Sequence, residues 1–144
     1  WGAFRVANRA KVFDSEDFEH GRQITLSACH NGYHRIKGSP THCRKWIFSD
    51  QLLVVEDFIK GKNDHEVDVI FPLHPLVNLL EVNGNRVILD LLGNTININF
   101  LGSGFLDVEK SYYHPEFGVS IENRRLHFRS NGELPLNLTT NISW

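Results

Sequence analysis

The chain has 144 residues, of which 41% are hydrophobic and 22% are charged, and its formal net charge at pH 7 is -2. A chain of this length can bury most of its apolar surface in one domain, and the composition excludes a disordered tail, a collagen-like repeat and a coiled coil. The near-neutral charge argues against a dedicated nucleic-acid binder, and the short apolar runs argue against a membrane-spanning helix.

The first element along the chain is the acidic stretch at residues 14–21. Its four acidic residues are Asp14, Glu16, Asp17 and Glu19. The stretch is too short and too polar to hold a convincing helical period. We interpret this acidic cluster as a solvated turn and not as a pair of catalytic carboxylates, which spacing alone cannot identify.

Residues 22–30 and 42–50 predict an antiparallel hairpin, because apolar and polar residues alternate along both segments. A register in which paired residue numbers sum to 72 places Leu26 opposite Trp46 and directs both side chains into the core. A shift by one residue would pair apolar faces with polar faces, so the pattern specifies the register. The glycine- and proline-containing residues 31–41 form the connecting loop.

Four residues of metal-ligand types lie at the end of this hairpin: Cys29, His30, His42 and Cys43. The predicted register puts the cysteines on one face and the histidines on the other, because side chains alternate across a strand. Four ligands on opposite faces cannot surround one zinc ion, so we predict no metal site here. The opposed cysteines fit either a disulfide or two free thiols, and we favour the thiols.

Polar residues at the end of the apolar stripe form the candidate binding site. His30 and His42 are opposite each other there, Arg44 follows on the same face, and Tyr33 and Arg35 lie in the adjoining loop. Arginine binds carboxylate and sulfate groups through paired hydrogen bonds, and histidine is a donor or a pH-sensitive contact. We predict an anion-binding site at these five residues. The alternative is that the histidines and Arg44 only close the end of the sandwich.

Later segments complete the fold prediction. Residues 52–59 are almost uniformly apolar, which suits a central strand that is covered on both faces. Alternation returns at residues 66–73 and 96–100, and turn-forming residues separate the segments at short intervals. This spacing predicts an all-β fold, an antiparallel β-sandwich, as a single domain over residues 1–144.

The remaining histidines and the common catalytic signatures indicate no further site. His74 and His114 each precede a proline and are expected in loops, whereas His20, His65 and His127 are expected on the surface. The sequence contains no Gly-x-Ser-x-Gly elbow, phosphate-binding glycine-rich loop or His-Glu-x-x-His motif. We therefore predict no catalytic residue, no metal ligand and no cofactor in this chain.

Several segments resemble, in the same order, segments of bacterial heparinase II/III-like polysaccharide lyases. The similar segments are residues 1–10 (WGAFRVANRA), 27–35 (SACHNGYHR), 42–44 (HCR), 53–57 (LVVED), 65–67 (HEV), 71–75 (FPLHP), 112–118 (YYHPEFG) and 134–135 (LP). The resemblance extends over nearly the whole chain, and its specificity lies in the ordered set and not in any one motif.

The resemblance implies the C-terminal β-domain of a longer lyase with an α/α toroid upstream. Such lyases cleave uronate-containing polysaccharides by β-elimination. The family's catalytic and metal-binding segments have no counterpart here, so the resemblance implies that the parent is a polysaccharide lyase and that the fragment alone is inactive. It also implies a periplasmic or extracellular location. The expected partners are an acidic polysaccharide, through the parent, and the N-terminal toroid, with neither nucleic acid nor membrane.

Two other interpretations have no catalytic role. A carbohydrate-binding module needs an exposed aromatic platform, and the available side chains are Trp1, Trp46, Tyr112 and Tyr113. A core-facing Trp46 argues against this interpretation. The other possibility is a purely structural β-sandwich with no affinity for sugars.

Overall fold

The computed structural model describes residues 9–144, so the part of the lyase resemblance at residues 1–8 lies outside the described residues. The strands are β1 (Val12–His20), β2 (Gln23–His30), β3 (Thr41–Ser49), β4 (Leu52–Lys60), β5 (Asp64–Pro72), β6 (Val77–Asn83), β7 (Arg86–Leu91), β8 (Asn94–Leu101), β9 (Phe105–Tyr113), β10 (Ile121–Glu133) and β11 (Leu136–Ser143). All paired strands are antiparallel, and the predicted all-β sandwich is confirmed. In this part of the chain no helix is long and apolar enough to span a membrane.

Two sheets of unequal width pack around the core. The larger sheet has the order β1-β2-β3-β4-β11-β8-β7-β6, and the smaller sheet has the order β5-β10-β9. The core lies between β7, β8 and β11 on one side and β5 and β10 on the other. At its centre the rings of Phe100 and Phe128 stack with centroids 5.3 Å apart. Three strands cannot cover eight, so β1, β2 and β3 extend beyond the packed region.

The β2–β3 hairpin has the predicted register, with Leu26 opposite Trp46. The predicted core position of Trp46 is wrong, because its ring is only half-buried and is not part of the core cluster. Leu26 and Phe48 on the same face are 39% and 37% exposed. The physical reason is that the smaller sheet packs on β7, β8 and β11, so the apolar face of β2 and β3 lies beyond its cover.

The acidic stretch is a strand, and its interpretation as a turn is wrong. It belongs to β1, which pairs with β2 on one side and, within the described part of the chain, is the edge strand of its sheet on the other. The ladder is interrupted by a bulge between Phe13 and Glu16, where Asp14 has a positive φ of 48°. Charged side chains and bulges on an edge strand discourage association with other strands. The acidic residues therefore protect this edge.

A charged network crosses the outer face of the smaller sheet. His127 in β10 is 7% exposed, and its ring nitrogens lie 2.6 Å from Asp68 in β5 and 3.0 Å from Glu109 in β9. Arg125 and Arg129 also bind the Glu109 carboxylate. The prediction of a surface histidine is wrong here, because side chains from both neighbouring strands cover the ring. Hydrogen bonds from Arg125 and His127 lower the pKa of Glu109 to about 2.

We expect Glu109 to make the free energy of unfolding depend on pH between its ordinary pKa of 4.5 and about 2. A carboxyl whose pKa is lower in the folded chain stabilises the fold above its unfolded pKa, and this contribution is lost as the pH falls through the folded pKa. Glu109→Gln should therefore reduce stability at neutral pH and flatten the acid dependence in urea unfolding.

The matched control for this measurement is Glu122→Gln. Glu122 lies in an exposed ion pair, 3.6 Å from Nζ of Lys110, and its replacement should change neither quantity. An acid dependence that is the same in Glu109→Gln and in the unaltered chain would contradict the prediction.

Candidate functional site

The end of the β2–β3 hairpin carries the predicted histidine pair on the inner face of the larger sheet. His30 is opposite His42, and Nε2 of His30 lies 3.0 Å from Nδ1 of His42. The neighbouring pair, Cys29 and Cys43, lies on the outer face and forms a disulfide. The prediction of free thiols is therefore wrong, because directly opposed cysteines of adjacent strands are close enough to bond. Within residues 9–144, no group of three or more His, Cys, Asp or Glu residues is arranged to hold a metal ion.

Asp57 of β4 anchors this pair, although the predicted site did not include it. Its carboxylate is 3% exposed and accepts hydrogen bonds from Nε2 of His42 (2.5 Å) and from Nε and Nη2 of Arg44 (2.7 and 3.0 Å). Burial by itself raises the pKa of this carboxyl, but the hydrogen bonds from His42 and Arg44 outweigh burial, and the pKa of Asp57 is lowered.

A sequence signal for Asp57 did exist. It is the one acidic residue on the apolar face of β4, where Val55 and Ile59 are its neighbours. The two-residue turn between β3 and β4 sets a register that places Asp57 directly opposite Arg44. Extending the register argument from the first hairpin to the second would have found the pair.

Hydrogen bonds determine which nitrogens of the two histidines carry protons. The Gly32 N–H donates to Nδ1 of His30 (3.1 Å), so the proton of a neutral His30 is on Nε2. The Nε2–H of His30 donates to Nδ1 of His42, and the Nε2–H of His42 donates to Asp57. The pKa of His30 is lowered by burial and then by the neighbouring His42 and Arg44. All four ring nitrogens are engaged, so the pair forms a framework for the site and has no nitrogen left for a ligand.

Three of the five predicted residues line one cavity of about 250 Å³. Tyr33, His42 and Arg44 line it together with Asp57 and residues of β5. Among residues 9–144, β5 pairs with β10 alone, and its other edge pairs with none of the described strands. Asp57 uses the Nε–Nη2 edge of the Arg44 guanidinium, and Nη1 has no bonding partner within residues 9–144. The ring of Tyr33, which is 44% exposed, lies 5.3 Å from the ring of His30.

Arg35 lies apart from this cavity. Its Nη1 donates to the Gly32 carbonyl (3.1 Å), and its side chain is exposed. It lines a second depression of about 260 Å³ with Arg9, Asn31 and His34. The loop turns tightly at this point, with a hydrogen bond from the N–H of Ile36 to the carbonyl of Tyr33 (2.9 Å). Two residues that are close in sequence therefore line different surfaces.

Apart from His127, the other histidines lie where they were predicted. His74 and His114 lie between strands, and His20 is exposed. His65 is a partly exposed surface residue that also lines the cavity, and its Nε2 lies 3.1 Å from the carbonyl oxygen of Lys62.

Comparison with known proteins finds one matching family, described as "Heparinase II/III-like, C-terminal", over residues 1–144. No curated protein matches the sequence. The fold is similar to that of a heparan sulfate lyase, HepC from Pedobacter heparinus (TM-score 0.78, 17% identity, 92% of this chain and 21% of that chain). It is also similar to a heparinase III (TM-score 0.76, 15% identity, 93% and 21%). The chain therefore spans about a fifth of the length of each of these proteins.

We expect Asp57→Asn to lower the free energy of unfolding by about 2–3 kcal/mol, because an amide cannot compensate the Arg44 guanidinium. This is less than for a fully buried pair, since the Arg44 side chain is 32% exposed. Urea unfolding at neutral pH measures the change. Glu56→Gln, which removes a surface contact of 3.4 Å to Lys45 on the opposite face, is the control and should cost less than about 1 kcal/mol. Equal losses in the two variants would count against a central role for Asp57.

We also expect a destabilising effect of acid through His30. Its pKa is lower in the folded chain than the ordinary value of 6.5, so the unfolded chain takes up a proton first as the pH falls. The contribution of His30 to stability should therefore be present above pH 6.5 and decline as the pH falls below it. The difference in free energy of unfolding between the unaltered chain and His30→Gln should shrink over this range. His20→Gln, at an exposed position, is the control, and a difference that stays constant with pH would refute the prediction.

Proposed function

Because the chain belongs to the heparinase II/III-like C-terminal family, we propose that it is the C-terminal β-domain of a polysaccharide lyase that acts on a uronate-containing polysaccharide by β-elimination. In this reaction a base removes the C5 proton, its electron pair forms the C4–C5 double bond, and the bond to O4 breaks as an acid protonates that oxygen. A positive group neutralises the uronate carboxylate during the reaction.

The Arg44–Asp57 pair at the cavity wall is the observation on which we base a binding role for this domain. Asp57 engages two guanidinium nitrogens, and Nη1 remains without a partner among the described residues. Tyr33 adds a half-exposed phenol to the same cavity. Guanidinium and phenol groups donate hydrogen bonds to carboxylate, sulfate and hydroxyl oxygens. The domain therefore contributes a binding site for one acidic sugar residue.

The base for the reaction comes from outside this chain in our proposal. A general base needs a lone pair within reach of the proton that it removes, and the ring nitrogens of His30 and His42 are all occupied. The coverage of only 21% of the similar lyase structures supports a division of labour between domains. The partner is an N-terminal α/α toroid that supplies the acid–base chemistry, and the fragment alone is inactive.

The location that we propose for the parent enzyme is the periplasm or the outside of the cell. The disulfide between Cys29 and Cys43 supports this location, because disulfides form and persist in oxidising compartments. A substrate of acidic polysaccharide is consistent with the same compartments.

A carbohydrate-binding module without catalysis is the second candidate. The predicted core position of Trp46 argued against it, whereas the observed position of Trp46 favours it. The indole ring is half-buried outside the core, and Cζ of Arg44 lies 6.0 Å from its centroid. A partly exposed indole beside a guanidinium offers a surface on which a sugar ring can stack, with a donor for its anionic group.

The experiment that tests the proposal mixes the chain with heparan sulfate, alginate and hyaluronan. Retention of the protein by each glycan and the ultraviolet absorbance of unsaturated uronate are measured in the same samples. We expect retention without new absorbance. New absorbance would mean that this chain holds a complete active site, and the absence of retention by any glycan would remove the proposed binding role.

Tyr33→Ala should weaken binding to a retained glycan about tenfold, which corresponds to about 1.4 kcal/mol, because it removes a cavity donor and leaves Arg44 in place. Tyr112→Ala is the matched control, since Tyr112 is exposed on β9 and does not line the cavity. Arg35→Gln should have a smaller effect than Tyr33→Ala. Equal losses in the two tyrosine variants would argue against the cavity, and a loss confined to Trp46→Ala would favour the binding module.

A further inference from the structure

The disulfide and the histidine pair occupy neighbouring positions of one hairpin. Cys29 is opposite Cys43, and the next pair along the ladder is His30 opposite His42. We infer that the disulfide positions the side chains of the site. From the outer face of the sheet it holds His30 in place, and His30 in turn aligns His42 and the loop that carries Tyr33 (residues 31–40) on the inner face. The inference goes beyond the proposed function, because it concerns the chain without any ligand.

The histidine pair is the last pair of the β2–β3 ladder before the loop, and on their other sides His30 pairs with Val12 of β1 and His42 with Ile59 of β4. β2 ends at His30, β3 begins at Thr41, and residues 31–40 form the loop between them. The end of a ladder opens more readily than its middle, because the last pair has a neighbouring pair of the same ladder on one side only. A loop of this length restrains the separation of its ends only weakly. The disulfide is thus the covalent restraint next to the position that needs one.

The position of His30 affects the site in two directions. Its Nδ1 accepts the Gly32 N–H at 3.1 Å, which orients the start of the loop, and its ring lies 5.3 Å from that of Tyr33. Its Nε2 donates to His42, which in turn contacts the buried Asp57. Hydrogen bonds weaken steeply once the atoms separate beyond about 3.5 Å, so a shift of His30 by about 1 Å would disturb both contacts.

The outer face also provides a position for a matched control. Ser27 and Lys45 form the next outer-face pair, away from the loop, and Lys45 there makes an exposed ion pair with Glu56. Pair types alternate along an antiparallel ladder, so this pair has the same backbone geometry as the cysteine pair. A disulfide moved to Ser27 and Lys45 would keep a crosslink in the hairpin but place it away from the histidines.

The experiment compares the unaltered chain, Cys29→Ala/Cys43→Ala, and that double variant with Ser27→Cys/Lys45→Cys added. Long-range proton–nitrogen NMR spectra report the tautomer and the titration of each imidazole. In the unaltered chain we expect His30 and His42 each to show a single Nε2–H tautomer. In the double variant His30 should show mixed tautomers, and its pKa should rise towards the ordinary value of 6.5. The moved disulfide should recover the unfolding temperature and leave His30 altered.

Three outcomes would overturn the inference. One is a double variant whose histidine spectra match the unaltered chain. Another is full recovery of His30 by the moved disulfide, since the crosslink would then act through general stability alone. The third is a change of His30 in Val87→Ala that equals its change in the double variant. Val87 is fully buried in the core and lies far from the hairpin along the larger sheet, so this substitution lowers stability without contacting the hairpin.

If the double variant does not fold, the disulfide of the unaltered chain is reduced instead, at a temperature below its unfolding temperature. Dithiothreitol is oxidised to its cyclic disulfide as the Cys29–Cys43 bond becomes two thiols, and the same spectra are recorded before and after. Unchanged histidine tautomers after complete reduction would refute the inference. None of these measurements uses a glycan, so their failure is distinguishable from failure of the proposed binding function.

Discussion

The arrangement around the cavity depends on one buried carboxylate, that of Asp57. A carboxylate in the interior of a sheet costs free energy unless hydrogen bonds replace its lost water, and His42 and Arg44 provide those bonds. These bonds couple β3 to β4, orient the His42 ring, and through that ring orient His30. Arg44 lines the cavity because its guanidinium must reach Asp57, so the geometry of the candidate site follows from compensation of a single charge.

A second constraint is the unequal width of the two sheets. An apolar sheet face is normally buried against another layer, but here the core involves β7, β8 and β11 of the larger sheet. Trp46 and its apolar neighbours on β2 and β3 are left partly open as a result. The cavity lies at the border between the covered and the uncovered parts of this face. A site at such a border combines a rigid framework with access to solvent.

Local patterns predicted the fold class and much of the hairpin. A period of two residues identifies strands, and burial of one face leaves one acceptable register, which is why the pairing of Cys29 with Cys43 and of His30 with His42 was predicted correctly. The same reasoning, carried across the next turn, reaches Asp57. Local patterns did not decide between a disulfide and free thiols, because the opposed positions fit both. The acidic stretch of β1 was misjudged because an edge strand needs no apolar face.

The sequence by itself thus determined the all-β class, the register of the first hairpin and the family, because these follow from alternation and from ordered local segments. Only the tertiary structure decided which side chains share a cavity. Tyr33 joins Arg44 and Arg35 does not, because a tight turn separates them, and His127 is buried by carboxylates of two strands that are distant in sequence. Such outcomes depend on how one sheet covers another and on the pairing of distant strands, and no local pattern specifies either of them.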